Sequence, residues 1–455
     1  MTTMTAATTG QLSPSTNVQL VAPSASDRLH YLDNLRALAM LSGIFLHAGL
    51  AYDASVQKFW LATDPSSSIV VHVLIWFVHL FRMALFFLIS GYFAKLLVVR
   101  KGTKGFLWNR TVRILFPFLL FYPFLLIAIV SVISFAISYV ENAQGIIGLV
   151  QDAIRTKQTG EQPPPNAMHL WFLYYLMIFS LLAPLISRIK LRPLDWIDAN
   201  RWIVVFIPLA LIPGAIGGGI PTAAPESFIP QWWPFVFYGL FYAIGWQLYG
   251  REAMIEWFRP YIWLMSGLVI AMFVPYLWLM PVSVFPNPPQ IGTWQLCTAA
   301  ALGAYLSSML VVLSLLMGRT YLSERNATLR FVSDSSYWVY LVHLPIVLLI
   351  QTLLIELSFN VWIKLTLTIV GTVFLCLLTY IIFVRYTVLG RLLNGKRSFP
   401  YRKSRRLSAS IFSVRAETLR EFRYQSPRAM DNPDGIHANN CRCVKMRIGW
   451  PSLLR

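Results

Sequence analysis

The feature that most constrains this chain is a series of apolar runs, each long enough to cross the hydrocarbon core of a lipid bilayer. A helix of that length needs about 20 apolar residues. Hydrophobic residues make up 56% of the 455 residues and charged residues only 13%, against about 25% charged residues in soluble domains. The sequence therefore predicts an all-α, polytopic transmembrane helix bundle. About ten helices are expected, over residues 33–52, 69–98, 110–140, 169–187, 202–220, 232–249, 260–280, 293–317, 331–355 and 361–386.

The distribution of Lys and Arg indicates the orientation of the bundle. If the N-terminus is cytoplasmic, the loops on that side carry 14 basic residues, whereas the outside loops carry three. Because cytoplasmic loops are rich in Lys and Arg, this asymmetry predicts that both termini lie in the cytoplasm. The same topology explains the net charge of +19, and no nucleic-acid partner is expected. The cytoplasmic loops are 99–113, 188–201, 250–259 and 318–330.

Two polar segments flank the bundle, so the sequence predicts three regions. Residues 1–27 are rich in Ser and Thr, lack the features of a cleaved signal peptide, and are expected to be disordered. The transmembrane domain is predicted to cover 28–387. Residues 388–455 are strongly basic and are expected to form a mostly disordered cytoplasmic tail. This tail is explained either as a plain polar extension or as a segment that adheres to anionic lipid.

Ionisable side chains inside the predicted helices are the candidates for function, because charges are costly at membrane depth. Arg36 and His47 are eleven residues apart, close to three helical turns, so they share one face about 16 Å apart along the axis. That face offers an anion-binding group near the inner surface and a titratable base farther out. Taken singly, Arg36 is also explained as an interfacial arginine and His47 as an interior histidine. The ionisable residues at membrane depth are Asp33, Arg36, His47, His72, His79, Arg82, His169 and His343.

Three histidines are predicted to converge in the outer half of the bundle. His343 lies twelve residues into its predicted helix, which corresponds to about 18 Å and nearly the depth of His47. His169 opens the fourth helix at its outer end. A near-neutral imidazole is a natural proton acceptor for transfer to a hydroxyl, and a three-histidine metal site is the alternative. In the helix of His343, Ser333 and Asp334 are predicted to be N-caps.

A cationic cluster lies at the inner start of the third helix. Arg110 and Arg113 are separated by two residues and follow Arg100, Lys101 and Lys104. Anchoring at the inner surface explains such a cluster, but guanidinium groups also bind phosphate oxygens bidentately. Arg110 and Arg113 are therefore candidates for holding the phosphates of an anionic substrate. The four cysteines give neither a disulfide framework nor a four-ligand zinc pattern.

Four segments of the chain, taken in order, resemble one known family. They are YLDNLRALAM at 31–40, LFFLISG at 85–91, HLWFLYY at 169–175 and SSYWVYLVHLP at 335–345. On these motifs the chain resembles the acyltransferase-3-type integral membrane acyltransferases, and within them the glucan biosynthesis protein C branch. The resemblance runs from about residue 28 to 387. Several ordered segments make it more specific than any single motif.

The resemblance implies both a reaction and a set of binding residues. The family pairs an arginine with a histidine across ten intervening residues in the first helix, and Arg36 and His47 match that pair. It also has two arginines separated by two residues, which match Arg110 and Arg113. It implies a cytoplasmic acyl-CoA donor, such as succinyl-CoA or acetyl-CoA, and a hydroxyl acceptor on an extracytoplasmic glycan. For the glucan branch it implies succinyl transfer to periplasmic glucans.

The expected site therefore has a donor end and a catalytic end. The three arginines are expected to bind acyl-CoA at the inner face, and His47 to act as general base or to carry the acyl group. His343 and His169 are expected to orient the acceptor or to stabilise the oxyanion. No metal is expected, and the implied location is the bacterial cytoplasmic (inner) membrane. The alternatives are a transporter or exporter of a sugar or lipid-linked substrate, and a non-enzymatic scaffold.

Overall fold

The computed structural model describes most of the chain between residues 27 and 394. The predictions for residues 1–26 and for the tail beyond 394 lie outside the described residues. The predicted caps Ser333 and Asp334 and nearly all of the predicted helices lie within the described residues. The described ranges are 27–56, 60–141, 143–157, 165–186, 200–281, 291–324 and 326–394.

Every long regular element in the described ranges is helical, which confirms the predicted all-α class. Short 3-10 segments precede several helices, and the longest of them is Arg201–Leu211. The α-helices are α1 (Asp27–Gly49), α2 (Ile69–Arg110), α3 (Phe116–Tyr139), α4 (Gly145–Thr156), α5 (Trp171–Ile186), α6 (Ile212–Gly218), α7 (Trp233–Leu248), α8 (Ile262–Leu279), α9 (Thr293–Tyr321), α10 (Ala327–Ile355), α11 (Val361–Thr379) and α12 (Val388–Asn394).

The helices have the length and apolar composition of membrane spans. Eight helical stretches in the described ranges are long and apolar enough to cross a bilayer. The longest, Ile69–Tyr139, contains both α2 and α3, and the apolar helix α7 adds a 16-residue segment. Counting both arms of the long stretch together with α7 gives ten apolar segments, which agrees with the sequence prediction.

Helices α2 and α3 form a hairpin whose two ends meet at the same side of the bundle. Thr63, before α2, forms an antiparallel bridge with Gln144, after α3. Nearby, the backbone N–H of Ile146 donates to the carbonyl of Trp60 at 3.2 Å. The chain leaves the helical conformation at Gly102, where φ is 67° and ψ is 172°, a backbone state that glycine tolerates best. The predicted loop 99–113 is therefore mostly helical, and only the region of Gly102 breaks the helix.

Two exposed tryptophans mark the ends of helix α8. Trp263 is 87% exposed and Trp278 is 80% exposed, and about 22 Å of helix axis separates them. Tryptophan is enriched at both membrane–water interfaces, where its ring lies at the level of the headgroups. The two rings therefore bracket the apolar middle of α8, as expected for a helix that lies in a membrane.

Small residues let α2 and α7 approach until their backbones touch. A Cβ added at Gly91 would lie 2.0 Å from the Tyr242 carbonyl oxygen, and one at Gly245 would lie 1.8 Å from the Leu88 carbonyl oxygen. Glycine is common where membrane helices pack this closely. The contact fixes the position of α2, the helix that carries His79 and Arg82.

The prediction that Ser333 and Asp334 cap a helix is wrong. Helix α10 begins at Ala327, and the Asn326 side chain caps it by accepting from the Thr328 N–H at 2.8 Å. Ser333 and Asp334 lie inside the helix. The polar residues near the N-terminal end of α10 face the interior of the bundle, so their polarity does not mark a helix start.

A buried ion pair holds the loop before α2. Lys364 Nζ of α11 donates to Asp64 Oδ2 at 2.5 Å, and both side chains are almost fully buried. The Ser66 backbone N–H donates to the other carboxylate oxygen of Asp64 at 2.9 Å. Because a buried charge is costly without a partner, this pair fixes the loop that carries Trp60 into the bundle.

Candidate active site

One continuous cavity of about 1360 Å³ runs through the bundle. Ligand pockets for small molecules usually enclose about 300–1,000 Å³, so this cavity can admit a substrate with an extended arm. It reaches at least from Arg36 to His47 on α1, about 16 Å along the helix axis. The structure places every predicted site residue on its wall: Arg36, His47, Arg110, Arg113, His169 and His343.

The three predicted histidines form one cluster. The ring centroids of His47 and His343 are 5.3 Å apart, and those of His343 and His169 are 5.5 Å apart. His47 comes from α1, His343 from α10 and His169 from the 3-10 turn Met168–Leu170 before α5. Three distant parts of the chain therefore bring their imidazoles to one place in the membrane-embedded part of the protein.

Backbone carbonyls determine the tautomers of two of these histidines. His343 Nδ1 lies 2.8 Å from the Tyr340 carbonyl oxygen and 3.1 Å from that of Val339. His169 Nε2 lies 3.0 Å from the Leu341 carbonyl oxygen. A carbonyl oxygen only accepts, so in the neutral rings these nitrogens carry the protons. The lone pairs therefore reside on Nε2 of His343 and on Nδ1 of His169.

His47 is held by an aromatic ring and by a buried amide. Its imidazole stacks on the Trp60 indole, with ring centroids 5.6 Å apart and planes inclined by 18°. The Trp60 Nε1–H donates to Gln351 Oε1 at 2.9 Å, and Gln351 Nε2 donates to the His47 and Ala48 carbonyls, both at 3.0 Å. Gln351 thus ties the backbone of His47 to the ring that covers its side chain.

The three arginines make few hydrogen bonds with the described residues. The Arg36 guanidinium lies 3.4 Å from Asp33 Oδ1, and both side chains are more than a third exposed, which makes the pair weak. Arg110 Nε is buried and has no hydrogen-bond partner among the described residues. The Tyr337 hydroxyl donates to the Arg113 backbone carbonyl at 3.0 Å, which ties α10 to the segment that carries Arg113 into the cavity wall. Such guanidinium groups suit a polyanionic ligand.

The cavity wall also includes ionisable residues that were not predicted as site residues, among them His79, Arg82 and Glu226. His79 and Arg82 stand out in the sequence as ionisable at membrane depth, but spacing alone does not place them beside His47. Glu226 lies in the loop between α6 and α7, and no sequence signal distinguishes it. Burial raises the pKa of the Glu226 carboxyl above its ordinary value.

The loop that carries Glu226 is fastened across the end of the cavity that lies away from Arg36. His79 Nε2 lies 2.9 Å from the Thr222 carbonyl oxygen, and the Tyr174 hydroxyl donates to the Phe228 carbonyl at 2.8 Å. The Ala167 N–H donates to the Glu226 carbonyl at 2.7 Å. These bonds connect the loop to α2 and α5, so the Glu226 side chain is held at this end of the cavity.

His72, the remaining histidine noted at membrane depth, lies outside the cavity wall. Its Nδ1 is 2.8 Å from Asp53 Oδ1, and the Trp76 Nε1–H donates to Asp53 Oδ2 at 2.9 Å. Asp53 is fully buried, so His72 and Trp76 satisfy a structural carboxylate. Within the part of the chain that the structure describes, no group of three or more His, Cys, Asp or Glu side chains is arranged to hold a metal ion.

Comparison with known proteins gives one consistent result. Residues 29–382 match the family model described as an acyltransferase domain. The chain is 25% identical over 397 residues to Glucans biosynthesis protein C of Escherichia coli (strain K12), which covers 82% of this chain and 96% of that protein. The same protein from Escherichia coli O81 (strain ED1a) matches at the same identity and coverage. No solved structure matches the chain. Since the family model spans most of the bundle, the chain belongs to the acyltransferase domain family and is an integral membrane acyltransferase.

Proposed function

We propose that this protein transfers an acyl group from cytoplasmic acyl-CoA to a hydroxyl of an extracytoplasmic glycan. The observation that carries the proposal is the single cavity that joins three arginines at one end to three imidazoles farther along. An acyl-CoA is anionic at its phosphates and uncharged along its pantetheine arm. The two parts of the cavity match these two parts of the donor.

The arginines hold the phosphates of the donor at the cytoplasmic end. Guanidinium groups bind phosphate oxygens through paired N–H donors, and Arg110 Nε is buried without a partner among the described residues. With the phosphates held near Arg36, the thioester must reach about 16 Å along α1 to arrive at His47. The extended pantetheine arm spans that part of the cavity.

The histidines carry out proton transfer at the thioester. His47 acts as general base on the acceptor hydroxyl or briefly carries the acyl group. His343 lies one ring contact away and presents the lone pair of Nε2, because its Nδ1–H is bound to backbone carbonyls. His343 and His169 therefore help to orient the hydroxyl of the acceptor.

The acceptor enters from the opposite end of the cavity. There the Trp60 indole and the Glu226 carboxyl line the wall, and an aromatic face with a hydrogen-bonding carboxyl suits a sugar ring and its hydroxyls. The similarity to Glucans biosynthesis protein C supports a glucan as acceptor. We propose a succinyl or acetyl group as the acyl unit, and the bacterial cytoplasmic membrane as the location, with both termini in the cytoplasm.

The proposal is tested with purified protein in proteoliposomes, radiolabelled succinyl-CoA or acetyl-CoA, and a glucan acceptor. Labelled glucan should form with the native chain, and His47→Ala should abolish it. Replacing both Arg110 and Arg113 with Gln should raise the KM for the donor. Arg259→Gln is the matched control, because Arg259 pairs with Glu256 at the surface and is absent from the cavity wall, so it should leave the KM unchanged.

Two outcomes would count against this function. If the native chain neither binds acyl-CoA nor labels the glucan, the donor or the acceptor is wrong. If the glucan crosses the proteoliposome membrane without consumption of acyl-CoA, the protein moves a sugar rather than an acyl group. The second result would favour the exporter alternative.

A further inference from the structure

Arg82 is a cation in the middle of the protein that forms no ion pair with any described residue. It lies on α2 at a depth where its surroundings are helices α1, α7 and α10, and it lines the cavity. Among the described residues it forms neither a salt bridge nor a hydrogen bond, and its Nε is buried without a partner. The polar groups that interact with it electrostatically are the hydroxyls of Tyr238 and Tyr340 and nearby imidazoles, with no carboxylate among them.

An isolated guanidinium at this depth needs a functional explanation. Removing a charge from water costs several kcal/mol unless a partner compensates it, and intramembrane ionisable residues generally face a cavity or a pathway. Arg82 faces such a cavity. Its position therefore indicates that a negative charge arrives there from a ligand.

The location of Arg82 identifies which negative charge this is. Its Nη1 would be 2.7 Å from a Cβ placed on Gly43, so the guanidinium packs against α1 at the level of Gly43. Gly43 is four residues before His47, which is one turn or about 6 Å toward the donor end. The guanidinium also interacts electrostatically with His47 and His343. It therefore lies between the donor arginines and the imidazole cluster.

The imidazoles do not supply the hydrogen-bond donors that acyl transfer needs. The N–H groups of His343 and His169 are already bound to backbone carbonyls, so in the neutral rings only lone pairs face the cavity. His47, as general base, must also direct a lone pair at the acceptor hydroxyl. The negative charge that develops on the carbonyl oxygen therefore requires a donor from elsewhere.

We propose that Arg82 is the catalytic residue that stabilises this oxyanion, an assignment that rests on the proposed thioester donor. The acceptor oxygen bonds to the thioester carbon while His47 takes its proton, and the carbonyl electron pair moves to the oxygen beside Arg82. When the carbonyl re-forms, the C–S bond breaks, and the departing thiolate receives the proton from the His47 imidazolium. Arg82 N–H groups hold the oxyanion between these two events.

The test compares variants of Arg82 with a variant that moves its side chain. Arg82→Gln should lower kcat about 10²- to 10³-fold, the effect of losing one oxyanion donor, while Arg82→Lys should recover part of the rate. Gly43→Ala should also lower kcat, because the new methyl group meets the guanidinium. Gly267→Ala is the matched control, since a Cβ there meets nothing within 4 Å. All rates are measured with both succinyl-CoA and acetyl-CoA, together with the affinity for coenzyme A.

The expected result is an equal loss of kcat with both donors and an unchanged affinity for coenzyme A. A loss confined to succinyl-CoA would overturn the assignment, because Arg82 would then bind the distal carboxylate of the acyl group. A kcat within about threefold of the native value would also overturn it. If Arg82→Gln fails to fold, Gly43→Ala decides the question by the same criteria. Failure of the native chain to transfer from either donor would instead refute the proposed function.

Discussion

Gln351 offers a sharp test of how the fold positions the imidazole cluster. Its side chain makes three hydrogen bonds, one from the Trp60 indole and two to the carbonyls of His47 and Ala48. Each is worth about 0.5–1.5 kcal/mol net, so Gln351→Leu should lower the free energy of unfolding by about 2–4 kcal/mol. The Trp60 ring would lose its anchor against His47, and a displacement near 1 Å can cost about 100-fold in rate. We expect kcat to fall about 10- to 100-fold.

Gln151→Leu separates positioning from general destabilisation. Gln151 is also buried and also makes three hydrogen bonds, to the Ile137 and Val140 carbonyls and from the Ala143 N–H, but it is absent from the cavity wall. Thermal unfolding in detergent should therefore report similar losses for the two variants. Steady-state transfer from labelled acyl-CoA should report a lower kcat for Gln351→Leu alone. Equal kcat values in both variants would refute the reasoning.

Three other predictions concern the Asp64–Lys364 ion pair, the Glu226 carboxyl and His343 of the imidazole cluster. Asp64→Asn leaves the buried Lys364 ammonium unpaired, so it should lower the free energy of unfolding by about 3–5 kcal/mol; an unchanged melting temperature would contradict this. Burial raises the pKa of Glu226, so its stabilising contribution is greatest below the ordinary carboxyl pKa and is lost as pH rises through the raised value. Glu226→Gln should therefore raise the melting temperature at pH 7 but not at pH 4, and an equal shift at both would rule out ionisation as the cause. His343→Ala should lower kcat about 10²- to 10⁴-fold with little change in the KM for acyl-CoA, and steady-state kinetics that show a KM effect alone would contradict its role.

The parts of the site that follow from helical geometry were predictable from the sequence. Arg36 and His47 share a face because eleven residues are close to three turns, and the structure places both on one cavity wall. His343 was expected near the depth of His47, and their rings lie 5.3 Å apart. These inferences need only the rise per residue and the direction of each helix.

The parts that depend on packing between distant segments were not predictable. Gln351 reaches Trp60 only because the loop before α2 folds back against α10 and α1. Glu226 reaches the cavity through the path of a loop, which no periodicity describes. The misassigned caps at Ser333 and Asp334 have a related cause, because polar residues facing an interior cavity imitate the polar start of an apolar helix.

The asymmetry of the cavity explains how such an enzyme could move an acyl group across a bilayer without moving the whole donor. Phosphates cannot enter hydrocarbon without a large desolvation cost, so the arginine end, which includes Arg36, would retain them. The uncharged pantetheine arm would then extend to the level of His47 and carry the acyl group at its end. Arg82 lies on the cavity wall between the donor arginines and His47, where the proposed oxyanion would form while the acyl group is being transferred. Because the proposed oxyanion exists only during the transfer, a guanidinium at this position would stabilise the transition state more than either substrate.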